Sequence, residues 1–504
     1  MTSTFLFRCF GVACWVAALL WGATPAHAAD DTLRIGSKRF TESYILAQVL
    51  AQTAQQHAPV EVQQGLGNTA IVYEALRAGS IDVYPEYTGT IALEILKQPG
   101  EMTLDAMREQ LKPLGLGVAV RLGFNDGYAL AMREDTAARL GVRKLSDLAA
   151  QPALHLGLSN EFIGRADGWK GLAARYRLPQ QPTGLDHGLA YDAVAGGQVD
   201  VIDIYTTDAK IEHLGLRVLE DDASHFPRYD AVLLYRLDVP QRFPTAWAAL
   251  QSLEGRIGEA QMIAMNARAE LQGVAFDVIA RDHLAQRGAQ GPAADTGLWA
   301  KLWGPDLSRL TAQHLGLVAA AVLLAVLVGV PLSVAVAAHA GARSAVLGAT
   351  GLLQTVPSLA LLAVLISWLG RIGTLPAMLA LTLYALLPIM RNTCTGLAEV
   401  PAGLKLAGQA LGLRRGQQLR SVELPLALPV IVAGVRTATT ISVGTATIAA
   451  FIGAGGYGER IVTGLALNDK ALLLAGALPA AALALLFEGG FGLAERWLRR
   501  SRRA

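Results

Sequence analysis

Lysine never follows glycine anywhere in these 504 residues, so the glycine-rich loop whose lysine cradles nucleotide phosphates is absent. Work driven by ATP has to come from another chain. Cysteine is scarce too: Cys9, Cys14 and Cys394 are all there are. The first two fall in an N-terminal segment that reads as removable. The third lies in a strongly apolar region, so the exported part has to be held by a core and not by disulfides. No nucleophile–base constellation and no metal-ligand spacing stands out. Catalytic residues, a metal and a cofactor are therefore all expected to be absent. The net charge of +2 is no guide to partners, because much of the basic excess lies in the loops and tail of the second half. No nucleic-acid partner is expected.

Hydrophobic residues make up 52% of the chain, and they are unevenly spread. From Asp30 to about Asp306 charged residues recur every few positions; from Leu315 to about Gly490 they are sparse. The chain divides accordingly into an export signal (1–28), a soluble domain (29–305) and a membrane domain (306–504). The signal has Arg8, the run "FGVACWVAALLWGAT" and small residues at Ala26 and Ala28, which place cleavage after Ala28. The alternative is an uncleaved anchor helix.

A bilayer takes about 20 apolar residues per helix. Five spans are predicted, at 315–338, 346–369, 374–391, 427–452 and 471–490. With the soluble domain outside, inside segments hold Arg343, Arg391, Lys405, Arg414, Arg415, Arg420, Arg496, Arg499, Arg500, Arg502 and Arg503. Outside loops hold Arg371, Arg460 and Lys470, and eleven against three sets the orientation. Arg436 in the fourth span reads either as functional or as snorkelling to the interface, and Glu488 as structural. Pro357, Pro388 and Pro479 are expected to kink or break their helices.

The loop at about 396–425 reads as two short amphipathic helices broken at Gly412, with Pro425 and Pro429 at the next span's entrance. "AGQALG" followed by "LRSVELPLALP" is similar to the cytoplasmic coupling loop of ABC-importer permeases, which docks on the ATPase subunit. Ala407, Gly412, Leu424 and Pro425 carry that match. "LLQTVPSLALLAVL", "YALLPIMRNTCTGL" and "ATIAAFIGAGGYGERIVTGL" resemble permeases of the Opu-type osmoprotectant family across 310–490.

In the soluble half strands and helices alternate, which predicts an α/β domain with a largely parallel sheet. "GYALAMR" and "YDAVLLYR" lie where a chain crosses between two lobes. "IGSKRFTES", "GLGNTAIVYEALRAGSIDVYPEYTGT", "FNDGYALAMR", "EFIGRADGWKGL", "DIYTTD" and "FPRYDAVLLYR" resemble the substrate-binding proteins of the same family. The resemblance implies a two-lobed, type II-like periplasmic-binding-protein fold, followed by an all-α permease of the MetI-like, type I importer kind.

The family binds small trimethylammonium compounds such as glycine betaine, choline and carnitine. A quaternary ammonium has no N–H to donate, so aromatic faces hold it by cation–π attraction. By resemblance Tyr87, Tyr128 and Tyr205 map to the cage and Thr90 to a polar contact. Arg165 reads two ways, pairing with Asp167 or reaching an anionic ligand end; Glu86 and Asp208 read as loop supports, the alternative being a carboxylate that faces a choline-like cation. Ser43 stands where many members carry Gln, and Ala267 where many carry Tyr. These departures imply a different or bulkier ligand, ergothioneine among them, or a wall supplied by Trp169 or Tyr229. The implied partners are that solute, a cytoplasmic ABC ATPase, a second copy of this chain and membrane lipid, at the bacterial inner membrane with the first domain in the periplasm. An amino-acid importer of the same architecture is the rival reading. A sensory receptor would need an output domain, and only about ten residues follow the last span.

Overall fold

Apolar runs of three to six residues, cut short by glycine and polar turns, form ten strands among the described residues. The computed structural model describes residues 32–98, 100, 102–286, 297–467 and 469–500. The signal assigned to 1–28 lies outside them. The strands are β1 (Leu33–Gly36), β2 (Val60–Gln63), β3 (Val83–Tyr87), β4 (Leu116–Ala119), β5 (Tyr128–Arg133), β6 (Leu156–Ser159), β7 (Thr183–Leu185), β8 (Val201–Tyr205), β9 (Leu216–Val218) and β10 (Ala231–Arg236). They build two sheets, ordered β2-β1-β3-β10-β4 and β7-β6-β8-β5-β9.

Four strands of each sheet run the same way and one runs against them, so each is largely parallel, as expected, with a single antiparallel member. Three parallel strands, β2-β1-β3 or β7-β6-β8, are followed by an antiparallel strand, β10 or β5. The physical reason is connectivity. The chain crosses to the second lobe just before β5 and returns just before β10, so each strand enters its sheet from the cleft side. A parallel neighbour would have to start from the far edge. Pro85 fits in β3 because β1 pairs with that strand only at Val83, so a residue without an N–H sits where one ladder has already ended.

The helical half begins with Leu307–Val336. The predicted second span is broken in two: Ala340–Thr355 and Ser358–Leu369 meet at 101°, at Pro357. Among the described residues the long helices Thr374–Ala398, Arg415–Ile452 and Lys470–Leu493 complete a set of four apolar helices, or five spans if the bent pair counts as one. Two boundaries also move. The third helix runs on to Ala398, and the second amphipathic piece of the loop continues into the fourth long helix without a break. A π-helical turn at Leu419–Glu423 widens the helix where the Pro425 ring would crowd the preceding turn. The loop's first helix, Ala402–Ala410, ends before Gly412, which sits at φ 75°.

Arg436 pairs with Glu488 and lies 3.6 Å from Glu495, while the Thr440 hydroxyl donates to Glu488 at 3.1 Å. It thus ties the fourth long helix to the last. At the opposite end the α/β half rests on the helical half. Arg39 lies 5.0 Å over the Phe451 ring, and Ile372 joins the apolar cluster of Leu66 and Val72. Gly188 packs so closely on the helix Gly458–Ala466 that a Cβ there would come within 2.7 Å of the Leu465 and Ala466 carbonyls.

Candidate functional site

The cleft is lined where strands end and chain crossings begin. Lys38 and Phe40 follow β1, Tyr87 closes β3, and Thr90 sits in the helical turn after it. Tyr128 opens β5, Tyr205 closes β8, and Asp126 and Tyr229 lie on the two crossings. With Glu161 these residues line one tight, nearly filled cleft. Strand carboxyl ends are where open α/β sheets put ligands.

Register brings the aromatic rings together. Tyr128 pairs directly with Tyr205 across β5 and β8, and their ring centroids are 5.1 Å apart. Phe40 lies 5.1 Å from Tyr205 and 6.3 Å from Tyr87, and Tyr229 lies 5.8 Å from Tyr128. The structure therefore gathers Tyr87, Thr90, Tyr128 and Tyr205, with Tyr229, into one wall. Trp169 does not line the cavity.

The cations of the cleft are each answered by an anion. Arg165 grips Asp167 with both ends, at 2.7 and 2.6 Å. Asp167 also accepts from the Tyr229 hydroxyl. Burial works against its charge, but the Arg165 guanidinium wins and holds the carboxyl below the usual range. Arg165 does not line the cavity itself; it stacks behind two lining residues, 4.9 Å over the Tyr128 ring and 3.4 Å from the Thr90 hydroxyl. Lys38 donates to Glu86 at 2.6 Å and sits 4.8 Å over Tyr87. Ser43 does not face the cavity: its hydroxyl accepts the Lys38 backbone N–H at 2.8 Å and shapes the loop that carries Lys38 and Phe40. Glu86 and Asp208 do fix loops, the latter by accepting the Tyr205 N–H at 2.9 Å.

Behind Tyr205 stands His187, its ring 4.4 Å away and its Nε2 3.1 Å from Asp208. Burial disfavours the charged ring, but Asp208, joined by Asp203 and Glu270, outweighs it and raises His187 to about 9. A raised histidine adds stability below its ordinary pKa and loses it as pH rises through the folded value. Melting of the α/β half is therefore expected to fall between about pH 6.5 and 9. His187→Phe should flatten that slope; an unchanged slope would show that the pair is not its source.

Sequence reading missed Lys38, Phe40, Asp126, Glu161 and His187. The first two lie inside a recognised stretch, "IGSKRFTES", and an aromatic two residues after a lysine was the available signal. Asp126 and Glu161 lie inside the recognised stretches "FNDGYALAMR" and "EFIGRADGWKGL" as well, but only the lobe arrangement turns them inward.

Comparison with known proteins follows the same division. Residues 31–286 match the family described as the substrate binding domain of ABC-type glycine betaine transport system. Residues 329–500 match the binding-protein-dependent transport system inner membrane component. The osmoprotectant import permease protein OsmW of Salmonella typhimurium is 48% identical over 186 residues, 36% of this chain and 86% of that one. A glycine-betaine-binding protein of Pseudomonas aeruginosa is 35% identical over 301 residues, 55% of this chain and 96% of that one. The ergothioneine transport permease/ergothioneine binding protein EgtU of Helicobacter pylori is 31% identical over 281 residues, covering 54% of this chain and 51% of its own. Among solved structures, that of a glycine betaine/carnitine/choline ABC transporter aligns with 50% of this chain and 98% of its own, at 25% identity and a TM-score of 0.43.

Proposed function

This chain belongs to the family of substrate-binding domains of ABC-type glycine betaine transport systems, joined here to an inner-membrane transport component, and from that premise we propose that it captures a small quaternary-ammonium solute for import. One observation carries the reading: Phe40, Tyr87, Tyr128, Tyr205 and Tyr229 face a single small cleft between two lobes, in a chain that also holds its permease. Aromatic faces are what a methylated ammonium can bind. Relatives described as handling glycine betaine, osmoprotectants and ergothioneine support the solute class. The ligand residues are Tyr87, Thr90, Tyr128 and Tyr205, with Arg165 at the anionic end and Ser43 acting through the Lys38 loop.

The α/β half, bounded near residue 305, works in the periplasm after an export signal, above a multi-pass helical half in the inner membrane. A separate ABC ATPase docks on the loop about 396–425. Leu406 and Leu411 there are 63% and 81% exposed, an apolar face suited to a partner. Ala407, Gly412, Leu424 and Pro425 shape it. Two copies of the chain and two ATPases make the transporter.

Calorimetric titration of the full chain in lipid nanodiscs with choline, glycine betaine, carnitine, ergothioneine and amino acids tests the reading. Binding of amino acids alone would overturn it. That second reading has one observation in its favour, the carboxylates of Asp126 and Glu161 in the lining, which suit an α-ammonium.

Coupling makes a separate prediction. Gly412 holds a left-handed φ of 75° with open space around its missing Cβ, so Gly412→Val costs about 1–2 kcal/mol locally by conformation alone. Solute affinity should stay as it was while ATP-driven uptake into vesicles falls at least tenfold. Normal uptake would remove Gly412 from the coupling role.

A further inference from the structure

Beneath the aromatic wall four oxygen-bearing side chains meet at the junction of the lobes. Glu42 stands in the first turn of the helix Thr41–Ala54 of the first lobe, and Tyr87 ends β3. Asp126 lies on the crossing into the second lobe, and Thr207 lies just past β8. Glu42, Asp126 and Thr207 are 2%, 4% and 1% exposed. The Tyr87 hydroxyl is 2.5 Å from Glu42 Oε1, the Thr207 hydroxyl 2.5 Å from Glu42 Oε2, and the same hydroxyl 2.9 Å from Asp126 Oδ1. Each of these oxygen–oxygen contacts is a hydrogen-bond distance, and each needs a hydrogen between its lone pairs. Tyrosine and threonine supply one apiece, and ionised carboxylates supply none. Asp126 Oδ1 also accepts the Thr207 N–H at 3.2 Å, but the two shorter contacts to Glu42 take both hydroxyl hydrogens. The 2.9 Å contact between Thr207 and Asp126 then gains a hydrogen of its own if one carboxyl is protonated.

We propose that the closed cleft binds one proton, shared by Glu42 and Asp126 through the Thr207 hydroxyl, and takes it up as the lobes close on solute. This rests on the reading that the cleft captures a quaternary ammonium by closure. Thr207 comes from the second lobe and Glu42 from the first, so their contact belongs to the closed form. With the lobes apart, water solvates both carboxylates, and each ionises near 4.

The surroundings favour retention. Burial, with the negative charge of Asp208 as a further contribution, raises Glu42 to about 7 and pushes Asp126 well above its ordinary range. Asn266 Nδ2 donates to Glu42 Oε2 at 3.4 Å and to the Thr207 carbonyl at 3.0 Å, and the Thr207 N–H donates to Asp126 Oδ1 at 3.2 Å, long neutral contacts against two buried charges. The nearby cations are spent elsewhere: Lys38 on Glu86, and His187 on Asp208. Glu270, whose carboxyl also feels Asp208, is itself raised to about 7 by burial and adds no positive charge.

The sign follows. A carboxyl pair raised in the closed form favours closure at low pH, so affinity falls by up to tenfold per pH unit between the open and closed pKa values, then levels above about 7. Choline, which does not titrate in this range, is the probe. Titrating the full chain in nanodiscs at pH 6, in buffers of different ionisation enthalpy, should show uptake of nearly one proton per choline bound. Glu42→Gln places an N–H where the carboxyl hydrogen was, so uptake should disappear and affinity become flat with pH. Thr207→Val removes the bridge and should also lose the uptake. Binding without proton exchange in the unaltered chain, or equal uptake in Glu42→Gln, overturns this inference alone. Failure of every quaternary ammonium to bind overturns the ligand reading and this inference with it.

Discussion

Choline or betaine binding is expected to weaken by at least about a hundredfold when Tyr128 and Tyr205 are both replaced by alanine. These residues are opposed across β5 and β8, with rings 5.1 Å apart. A desolvated cation–π contact is worth about 2 kcal/mol, and two such contacts amount to more than two decades in affinity. Geometry makes the pair more than additive. Tyr205 is sandwiched between Phe40 and His187, at 5.1 and 4.4 Å, so its removal also frees Phe40 to turn away. Phenylalanine at either position keeps the face and loses only a hydroxyl. Tyr205→Phe should therefore bind within about threefold of the unaltered chain. Calorimetry on all three proteins separates the cases. Near-normal binding by the double alanine variant would remove the tyrosines from the site.

How far the sequence carried this site depends on what each residue's position rests on. Tyr128 and Tyr205 were legible because a strand end can be read from the apolar run before or after it, and both lie in recognised stretches. Thr90 was legible for the same reason, one helical turn past β3. Lys38 and Phe40 were not, although they sit four and two residues before Glu42. Their roles come from packing on Tyr87, some fifty residues away. Ser43 was expected at the ligand and instead caps the Lys38 loop, because its short side chain reaches the nearest amide first. Arg165 was read two ways; it pairs with Asp167 through two donors, and a guanidinium has enough donors to reach Thr90 as well. In the helical half, apolar length was easy to read and direction was not. Pro357 announced a break in the second span but nothing in the sequence told its 101°, which depends on the neighbouring helices.

The other large effect belongs to Lys38. Its ammonium and the Glu86 carboxylate are buried together, with side chains 7% and 0% exposed and 2.6 Å apart. Glu86 also accepts from the Tyr84 hydroxyl at 3.1 Å and the Tyr87 N–H at 2.9 Å, so it holds β3 at the residue that opens the cage. Lys38→Met keeps most of the buried stem and removes only the charge. It leaves a carboxylate out of water with two neutral donors, and a buried ion stripped of its partner costs about 3–5 kcal/mol. In a domain of this size that lowers the melting temperature by about 10 °C. Adding Glu86→Gln removes the orphaned charge while an amide oxygen still accepts from Tyr84 and Tyr87. The double variant should recover most of the loss, because the penalty comes from the uncompensated charge and not from the missing attraction. Cage affinity should follow the same order, poor in Lys38→Met and largely restored in the pair. Tryptophan-fluorescence melting of the full chain in nanodiscs reads the stability, and choline titration reads the cage. A single variant as stable as the unaltered protein would mean that the Lys38–Glu86 pair does not hold this end of the cleft.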